Sequence, residues 1–348
     1  MSFSPLETQS PGWLLTVDPQ GDGERLDRFI SRRLPRVSRT RASKLQVYEL
    51  DPQGFLKKTG LKKSTRLQAL QTLWIERPVP PENLSLLERP KIIDECNDFL
   101  VIDKPTGWVV HPTASRFHSA ITTWLKAQGY QAQPVHRLDC ETSGILICAK
   151  TQQVEAELQQ LFLEHKVQKE YVALCHISPQ GQAFLEQQGI DQSGKQWLET
   201  TSLGFDLRSQ IKIKMGRGLK DAITHFKVLS VGLSSYRSTL LSDRELNKPT
   251  VKHDHYLCVK ARPKSGRQHQ IRVHLSLRGL PLLGDKLYGL DEEYFLKGLA
   301  GKLTQEDYQK LGHDRHALHA SELSFIWKNQ KRLWHSPLPQ DLQNLLNQ

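Results

Sequence analysis

Residues 135–150 read VHRLDCETSGILICAK and carry more information about this chain than any other segment. Residues 145–149 form a short apolar run that predicts a buried strand. Thr142, Ser143 and Gly144 come just before it and favour a sharp turn. Asp139 precedes this turn and follows Arg137 by two positions. A lone carboxylate anchored to a core strand is held in a fixed direction, which is typical of an active-site loop.

An isolated Arg-x-Asp sequence is usually a structural ion pair at a turn. Other motifs of the chain argue against that interpretation here. They are LVIDKPTG at 100–107, KEYVA at 169–173, SGRQHQIRVHL at 265–275, GDKLYG at 284–289, RHALHA at 315–320 and PLP at 337–339.

In this order the motifs resemble the RluA family of RNA pseudouridine synthases. The catalytic motif of that family is His-Arg-Leu-Asp, two variable residues, then Thr-Ser-Gly, and residues 136–144 match it. The resemblance spans about residues 90 to 345. It implies an α+β pseudouridine-synthase fold, in which a mixed, largely antiparallel sheet with flanking helices surrounds a central cleft.

The resemblance also implies the chemistry, which is isomerisation of a specific uridine in structured RNA to pseudouridine. Asp139 would be the single catalytic carboxylate, and it could attack the ribose, attack the uracil ring or remove a sugar proton. Arg272 would keep it ionised, because a nearby positive charge lowers the pKa of an aspartate by about 1 to 3 units. Tyr171 would stack on the base, and Arg137 would fill the gap left by the flipped nucleotide.

Three further cations are candidate phosphate contacts, although each alone is as readily an ordinary surface charge. They are Lys104, Lys169 and Arg267. We expect no cofactor, since the reaction is redox-neutral and no nucleotide-binding loop is found. We also expect no metal, because His313, His316 and His319 lack further ligands at suitable spacing.

The net charge of +11 is concentrated near the N-terminus. Residues 22–66 contain thirteen Lys and Arg against five Asp and Glu, a net charge of +8. Such a segment favours a polyanionic partner. It resembles the alpha-L RNA-binding module, with Ser38 capping a second helix from which Arg39, Arg41 and Lys44 project. Residues 51–54, DPQG, depart from the usual pattern of that module.

These observations predict four segments. Residues 1–21 form an N-terminal extension, 22–76 the small α+β RNA-binding module, 77–89 a proline-rich linker and 90–348 the catalytic domain. Residues 237–253 are longer and more polar than a simple connection requires, so we expect a surface excursion there.

The composition is that of an ordinary soluble protein, with 38% hydrophobic and 24% charged residues. No apolar run approaches a membrane span, and we expect no secretory signal, because residues 1–13 lack a basic start and an apolar block. The five cysteines form no Cys-x-x-Cys pair, so we expect reduced thiols in the cytoplasm.

We therefore expect a monomeric, cytoplasmic enzyme that modifies RNA, ribosomal RNA in preference to transfer RNA. One alternative is a non-catalytic RNA-binding factor for ribosome assembly with the same fold. That alternative predicts loss of Asp139, Tyr171 or Arg272, and all three are present. A DNA-binding protein built on the basic segment alone would leave the remainder of the chain unexplained.

Overall fold

The computed structural model describes residues 12–35, 37–58, 60–77, 82–113, 115–191, 193–234 and 253–346. These residues form two compact units. The first consists of the described residues up to Leu84 together with His111–Tyr130, and the second of Ser85–Val110 and the described residues from Gln131 onward.

The first unit contains a four-stranded antiparallel sheet with the strand order β1-β4-β2-β3. Its elements are β1 (Gly12–Thr16), α1 (Leu26–Arg33), α2 (Arg39–Ala42), β2 (Val47–Leu50), β3 (Leu56–Lys58), β4 (Thr72–Glu76) and α3 (Ile121–Ala127). The apolar side chains of α1 pack against those of β4 and β2 in one core. The strand β1 lies within the range that the sequence assigned to an N-terminal extension.

Local side chains explain two features of this unit. The hydroxyl of Ser38 accepts a hydrogen bond from the backbone N–H of Arg41 at 3.3 Å, which confirms the predicted cap of α2. Asp51 accepts hydrogen bonds from the backbone N–H groups of Gln53 and Phe55. With Gly54 at φ 87°, this turn joins β2 to β3.

Glu82 anchors the segment that leads into α3. Its carboxylate accepts hydrogen bonds from the backbone N–H groups of Phe117, His118 and Ser119 at 2.6 to 2.8 Å. Within the predicted linker, residues 78–81 lie outside the described residues.

The second unit contains a ten-stranded mixed sheet. Its elements, together with a separate hairpin, are β5 (Lys91–Glu95), β6 (Phe99–Lys104), β7 (Gln133–Pro134), β8 (Ser143–Ala149), α4 (Gln152–Leu163), β9 (Gln168–His176), α5 (Pro179–Gln187), β10 (Gln196–Glu199), β11 (Leu203–Phe205), β12 (Met215–Arg217), β13 (Thr224–Ser234), β14 (His253–Pro263), α6 (Gln270–Leu277), α7 (Glu292–Leu299), α8 (Gln305–Leu311), β15 (Leu318–Trp327), β16 (Gln330–His335) and α9 (Gln340–Leu346).

The main strand order is β10-β13-β14-β9-β15-β8-β6-β5, with β16 paired to β15 and β7 to β8. The pairing of β15 with β8 is parallel, and the other pairings in this sheet are antiparallel. This architecture confirms the predicted α+β fold with a mixed, largely antiparallel sheet. β11 and β12 form a separate two-stranded hairpin.

Both faces of the central strand β9 are covered, which fixes its position. Ala173 and Cys175 pack with Ile271 of α6 on one face, whereas Leu174 packs with Leu342 of α9 on the other. β9 and α6 are therefore rigidly placed. The predicted excursion at 237–253 lies, apart from His253, outside the described residues.

Candidate active site

The loop that carries Asp139 is fixed by backbone contacts at both of its ends. Thr142 donates its N–H to the carbonyl of Asp139 at 3.1 Å, and Gly107 donates its N–H to the carbonyl of Cys140 at 2.9 Å. Gly144, at φ 110°, then enters β8 so close to β15 that a Cβ atom would lie 2.2 Å from the carbonyl oxygen of Ala320. Glycine is required there for both conformation and space.

Two histidines near the start of β15 hold the same turn from the other side. His316 Nε2 lies 2.7 Å from the hydroxyl of Thr142, and His319 Nδ1 lies 2.9 Å from the hydroxyl of Ser143. Burial lowers the pKa of His316 to about 4, so its ring is neutral at physiological pH. These histidines therefore position the loop. Among the described residues, no group of three or more His, Cys, Asp or Glu side chains is arranged to hold a metal ion.

Arg272, on α6, joins the loop to a buried carboxylate. Its Nη1 donates a hydrogen bond to Asp139 Oδ2 at 2.8 Å, and its Nε and Nη2 donate to the two oxygens of Asp285 at 2.8 and 2.9 Å. The side chain of Asp285 is 0% exposed and also accepts from the backbone N–H groups of Leu287 and Tyr288. The guanidinium orientation is fixed by this two-point contact.

Asp139 is ionised and keeps one carboxylate oxygen available. Burial by itself would raise the pKa of Asp139, but the charge and hydrogen bond of Arg272 outweigh it and lower the pKa to about 2. Its side chain is 19% exposed. Arg272 engages Oδ2, and no hydrogen bond to Oδ1 is found in the described part of the chain. An anion with one oxygen held and the other open is suited to nucleophilic or base chemistry.

Tyr171 lies on β9, between β14 and β15, and packs at the edge of a buried apolar cluster. Burial raises the pKa of its phenol well above the usual range, and the negative charge of Asp139 raises it further. The two side chains are thus within electrostatic reach of each other, and the phenol remains protonated.

His269 and Tyr288 form a further contact beside Asp139. The backbone N–H of Met215 donates to the hydroxyl of Tyr288 at 2.9 Å, and that hydroxyl lies 2.7 Å from His269 Nδ1. Because the hydroxyl already accepts the N–H of Met215, its own proton is hydrogen-bonded when it donates to Nδ1. The proton of His269 is then on Nε2, which lies 3.8 Å from Asp139 Oδ1.

The predicted RNA-binding residues of this unit differ in their surroundings. Arg137 is exposed. The pKa of His269 is lowered to about 4, mainly by burial, and the positive charges of Arg272 and Arg137 also lower it. Arg267 is exposed and donates from Nε to the carbonyl of Asp221 at 3.0 Å. Lys169 is half-buried, and burial lowers its pKa to about 8.

Lys104 requires a correction. The sequence predicted a phosphate contact, but the side chain is completely buried. Its Nζ donates to the backbone carbonyls of Pro105, Trp108 and Cys140 at 2.9 to 3.2 Å. Its charge is satisfied by these carbonyls, one of which belongs to the loop that carries Asp139, and this structural role leaves Nζ out of reach of RNA.

In the first unit, the three predicted RNA contacts project from the region of α2. Arg39, Arg41 and Lys44 are all exposed. Arg39 also forms a 2.9 Å ion pair with Asp27, whose side chain is buried. Arg39 therefore contributes to the structure of the unit, whereas no ion pair of Arg41 or Lys44 is found among its described residues.

Three residues of the site were absent from the predicted set, namely Asp285, His269 and Tyr288. All three lie within the motifs at 265–275 and 284–289, so the signal for them was present. The residue types alone did not show which of them would contact Arg272 or Asp139.

A family model described as RNA pseudouridylate synthase matches residues 98–277, which include Asp139, Tyr171 and Arg272. The chain belongs to this family. The predicted membership of the RluA family is thereby confirmed, and the protein is an RNA pseudouridine synthase that isomerises uridine in RNA.

Two relatives and one solved structure illustrate the similarity. The chain is 28% identical over 95% of its length to ribosomal large subunit pseudouridine synthase D of Zymomonas mobilis, of which it covers 95%. It is 31% identical over 73% of its length to an uncharacterised RNA pseudouridine synthase of Helicobacter pylori, of which it covers 75%. Human RNA pseudouridylate synthase domain containing 1 superposes with a TM-score of 0.52 at 21% identity, over 77% of this chain and 96% of the human one.

The pseudouridine synthase carries no helix, in the part described, that is long and apolar enough to cross a membrane.

Proposed function

We propose that this pseudouridine synthase modifies specific uridines in structured RNA with Asp139 as its single catalytic carboxylate. The observation that supports the proposal most directly is the asymmetric environment of that carboxylate. Arg272 holds Oδ2 at 2.8 Å, Oδ1 accepts no hydrogen bond from the described residues, and the pKa of Asp139 is lowered to about 2.

The reaction breaks the bond between ribose C1′ and uracil N1, turns the uracil and joins C1′ to C5. The proton originally on C5 is released and N1 gains one, so the reaction is redox-neutral. An ionised Oδ1 serves each of the three routes open to Asp139, and Arg272 stabilises the negative charge before and after the step. Tyr171 would form a wall for the base, and Arg137 would occupy the gap left in the helix.

We further propose that the substrate is ribosomal RNA rather than transfer RNA. The relatives from Zymomonas mobilis and Neisseria meningitidis are named ribosomal large subunit pseudouridine synthase D. The exposed cations Arg41 and Lys44 of the first unit supply further phosphate contacts. Mapping pseudouridines chemically in total RNA from cells with and without the gene identifies the modified molecule.

The catalytic proposal is tested by tritium release from RNA labelled at uridine C5. Asp139→Asn should release none, while its melting temperature and RNA affinity stay close to those of the wild type. Asp221→Asn, at an exposed carboxylate of the same unit, is the matched control and should retain full activity. Full release by Asp139→Asn would exclude Asp139 as the reacting group.

A further inference from the structure

The hairpin formed by residues 203–220, here called the 203–220 hairpin, is firmly built into the second unit. Leu203 and Lys220 exchange backbone hydrogen bonds at 2.8 and 3.1 Å, and the N–H of Gly218 donates to Ser202 at 2.8 Å. A Cβ atom on Gly218 would lie 2.3 Å from the backbone nitrogen of Gly204. The base of the hairpin is thus closed by glycines in direct backbone contact.

Buried side chains attach the hairpin to the elements that carry the active site. Leu203, Ile211 and Met215 pack with Val273 of α6 and with Tyr288. The N–H of Met215 also donates to the hydroxyl of Tyr288. Because Tyr288 contacts His269, which faces Asp139, the hairpin lies beside the reaction centre.

On this rigid support the hairpin exposes large apolar side chains. Leu207 and Leu219 are 94% and 98% exposed, the highest values among the large apolar side chains described. Phe205 and Ile213 are also exposed. Four large apolar side chains are therefore exposed on one short, ordered element.

The hairpin is also strongly basic. It contains Arg208, Lys212, Lys214, Arg217 and Lys220 against one acid, Asp206, a net charge of +4 in 18 residues. Lys214 pairs with Glu292 and Arg208 with Asp206. No ion pair of the other three cations is found among the described residues. Their charge is available to an anionic partner.

We infer that the 203–220 hairpin binds the RNA strand beside the target nucleotide, an inference that rests on the proposed function. Leu207, Leu219 and Phe205 would pack against bases unstacked when the target is flipped, as apolar side chains do at distorted steps. Lys212 and Arg217 would contact the adjoining phosphates. Flipping leaves apolar base faces beside a charged backbone, and the hairpin presents complementary groups of both kinds.

The test uses the full-length protein and total RNA from a host strain that lacks the gene, labelled with tritium at uridine C5. Two double variants, Leu207→Ser with Leu219→Ser and Lys212→Gln with Arg217→Gln, are compared with the wild type. Leu296→Ser with Leu299→Ser, at two exposed leucines of α7, is the matched control.

Each hairpin variant should lose at least about tenfold in the rate at limiting enzyme and RNA, because the leucine variant lacks base contacts and the charge variant lacks phosphate contacts. The rate at saturating RNA should stay within about twofold of the wild type. In the charge variant, the salt dependence of RNA binding should also fall, by roughly 0.7 to 0.9 in slope per lost contact. The control should match the wild type in every measurement.

Ultraviolet crosslinking of the wild-type protein to the same RNA provides a readout that does not depend on turnover. Crosslinked peptides should include residues 203–220. If the wild type releases tritium while the hairpin variants behave like the control, the inference is wrong and the proposed function stands. If the wild type releases no tritium, the proposed function fails. If residues 203–220 yield no crosslinked peptides, the inference about the hairpin is overturned, whatever the result of the tritium assay.

Discussion

The guanidinium of Arg272 donates twice to Asp285 and once to Asp139. Asp285 is buried and accepts two backbone N–H groups as well, so it is the fixed partner. Asp139, by comparison, stands on a loop and is partly exposed. Arg272 is therefore oriented by Asp285 and in turn holds the carboxylate of Asp139.

We expect Arg272→Met to lose both activity and stability. The substitution leaves the carboxylate of Asp285 buried without its charged partner, and breaking such a pair costs about 3 to 5 kcal/mol. Urea unfolding and single-turnover tritium release measure the two effects. Arg208→Met, at an exposed arginine, should change the free energy of unfolding little. An Arg272→Met protein as stable as the wild type would contradict this account.

Arg272→Lys should fold better than Arg272→Met but remain impaired. A lysine keeps the charge but cannot make the two-point contact with Asp285 while also reaching Asp139. The single-turnover rate at saturating RNA should therefore fall by tenfold or more. Recovery of the full rate in Arg272→Lys would show that the positive charge alone suffices and that the two-point contact of the guanidinium with Asp285 is dispensable.

We expect Tyr288→Phe to slow the reaction without unfolding the protein. The hydroxyl of Tyr288 lies 2.7 Å from His269 Nδ1, and without it the imidazole is free to adopt the other tautomer. If misorientation of the His269 ring raises the activation barrier by about 1.4 kcal/mol, the rate falls roughly tenfold. Nitrogen NMR of the His269 ring should show Nε2 protonated in the wild type and a mixture in the variant. Tyr308→Phe serves as the control, and an unaltered His269 spectrum in Tyr288→Phe would disprove the assignment.

RNA affinity should depend on pH through Lys169. Burial lowers the pKa of Lys169 to about 8, below that of an ordinary lysine, so its charge is present below pH 8 and lost above it. If Lys169 contacts phosphate, affinity falls as the pH rises from 7 to 9. Lys169→Arg stays charged and should abolish this change, whereas Lys169→Gln should bind weakly at both pH values. Identical pH profiles in the three proteins would exclude Lys169 as an RNA contact.

The cations of the first unit should act on affinity alone. Arg41→Gln combined with Lys44→Gln should reduce the salt dependence of RNA binding by roughly 0.7 to 0.9 per contact. The single-turnover rate at saturating RNA should be unchanged, since neither residue belongs to the proposed catalytic set. Lys57→Gln, at a lysine paired with Glu49, is the control in the same unit. An unaltered salt slope in the double variant would indicate that this face only aids solubility.

The sequence by itself determined the family, the α+β fold and the three central residues of the proposed mechanism. Asp139, Tyr171 and Arg272 were predicted because each lies in a short motif that resembles a motif of the family. The cap at Ser38 was predicted for a similar reason, since capping depends on residues three positions apart.

Only the tertiary structure decided which groups meet. Asp139 and Arg272 are 133 positions apart, and no local pattern encodes their 2.8 Å contact or the role of Asp285 between them. The same is true of Lys104, whose sequence context suggests a surface cation but whose charge is satisfied by three backbone carbonyls. Burial and long-range pairing arise from packing of the whole chain, and they determine whether a charge serves the fold or the substrate.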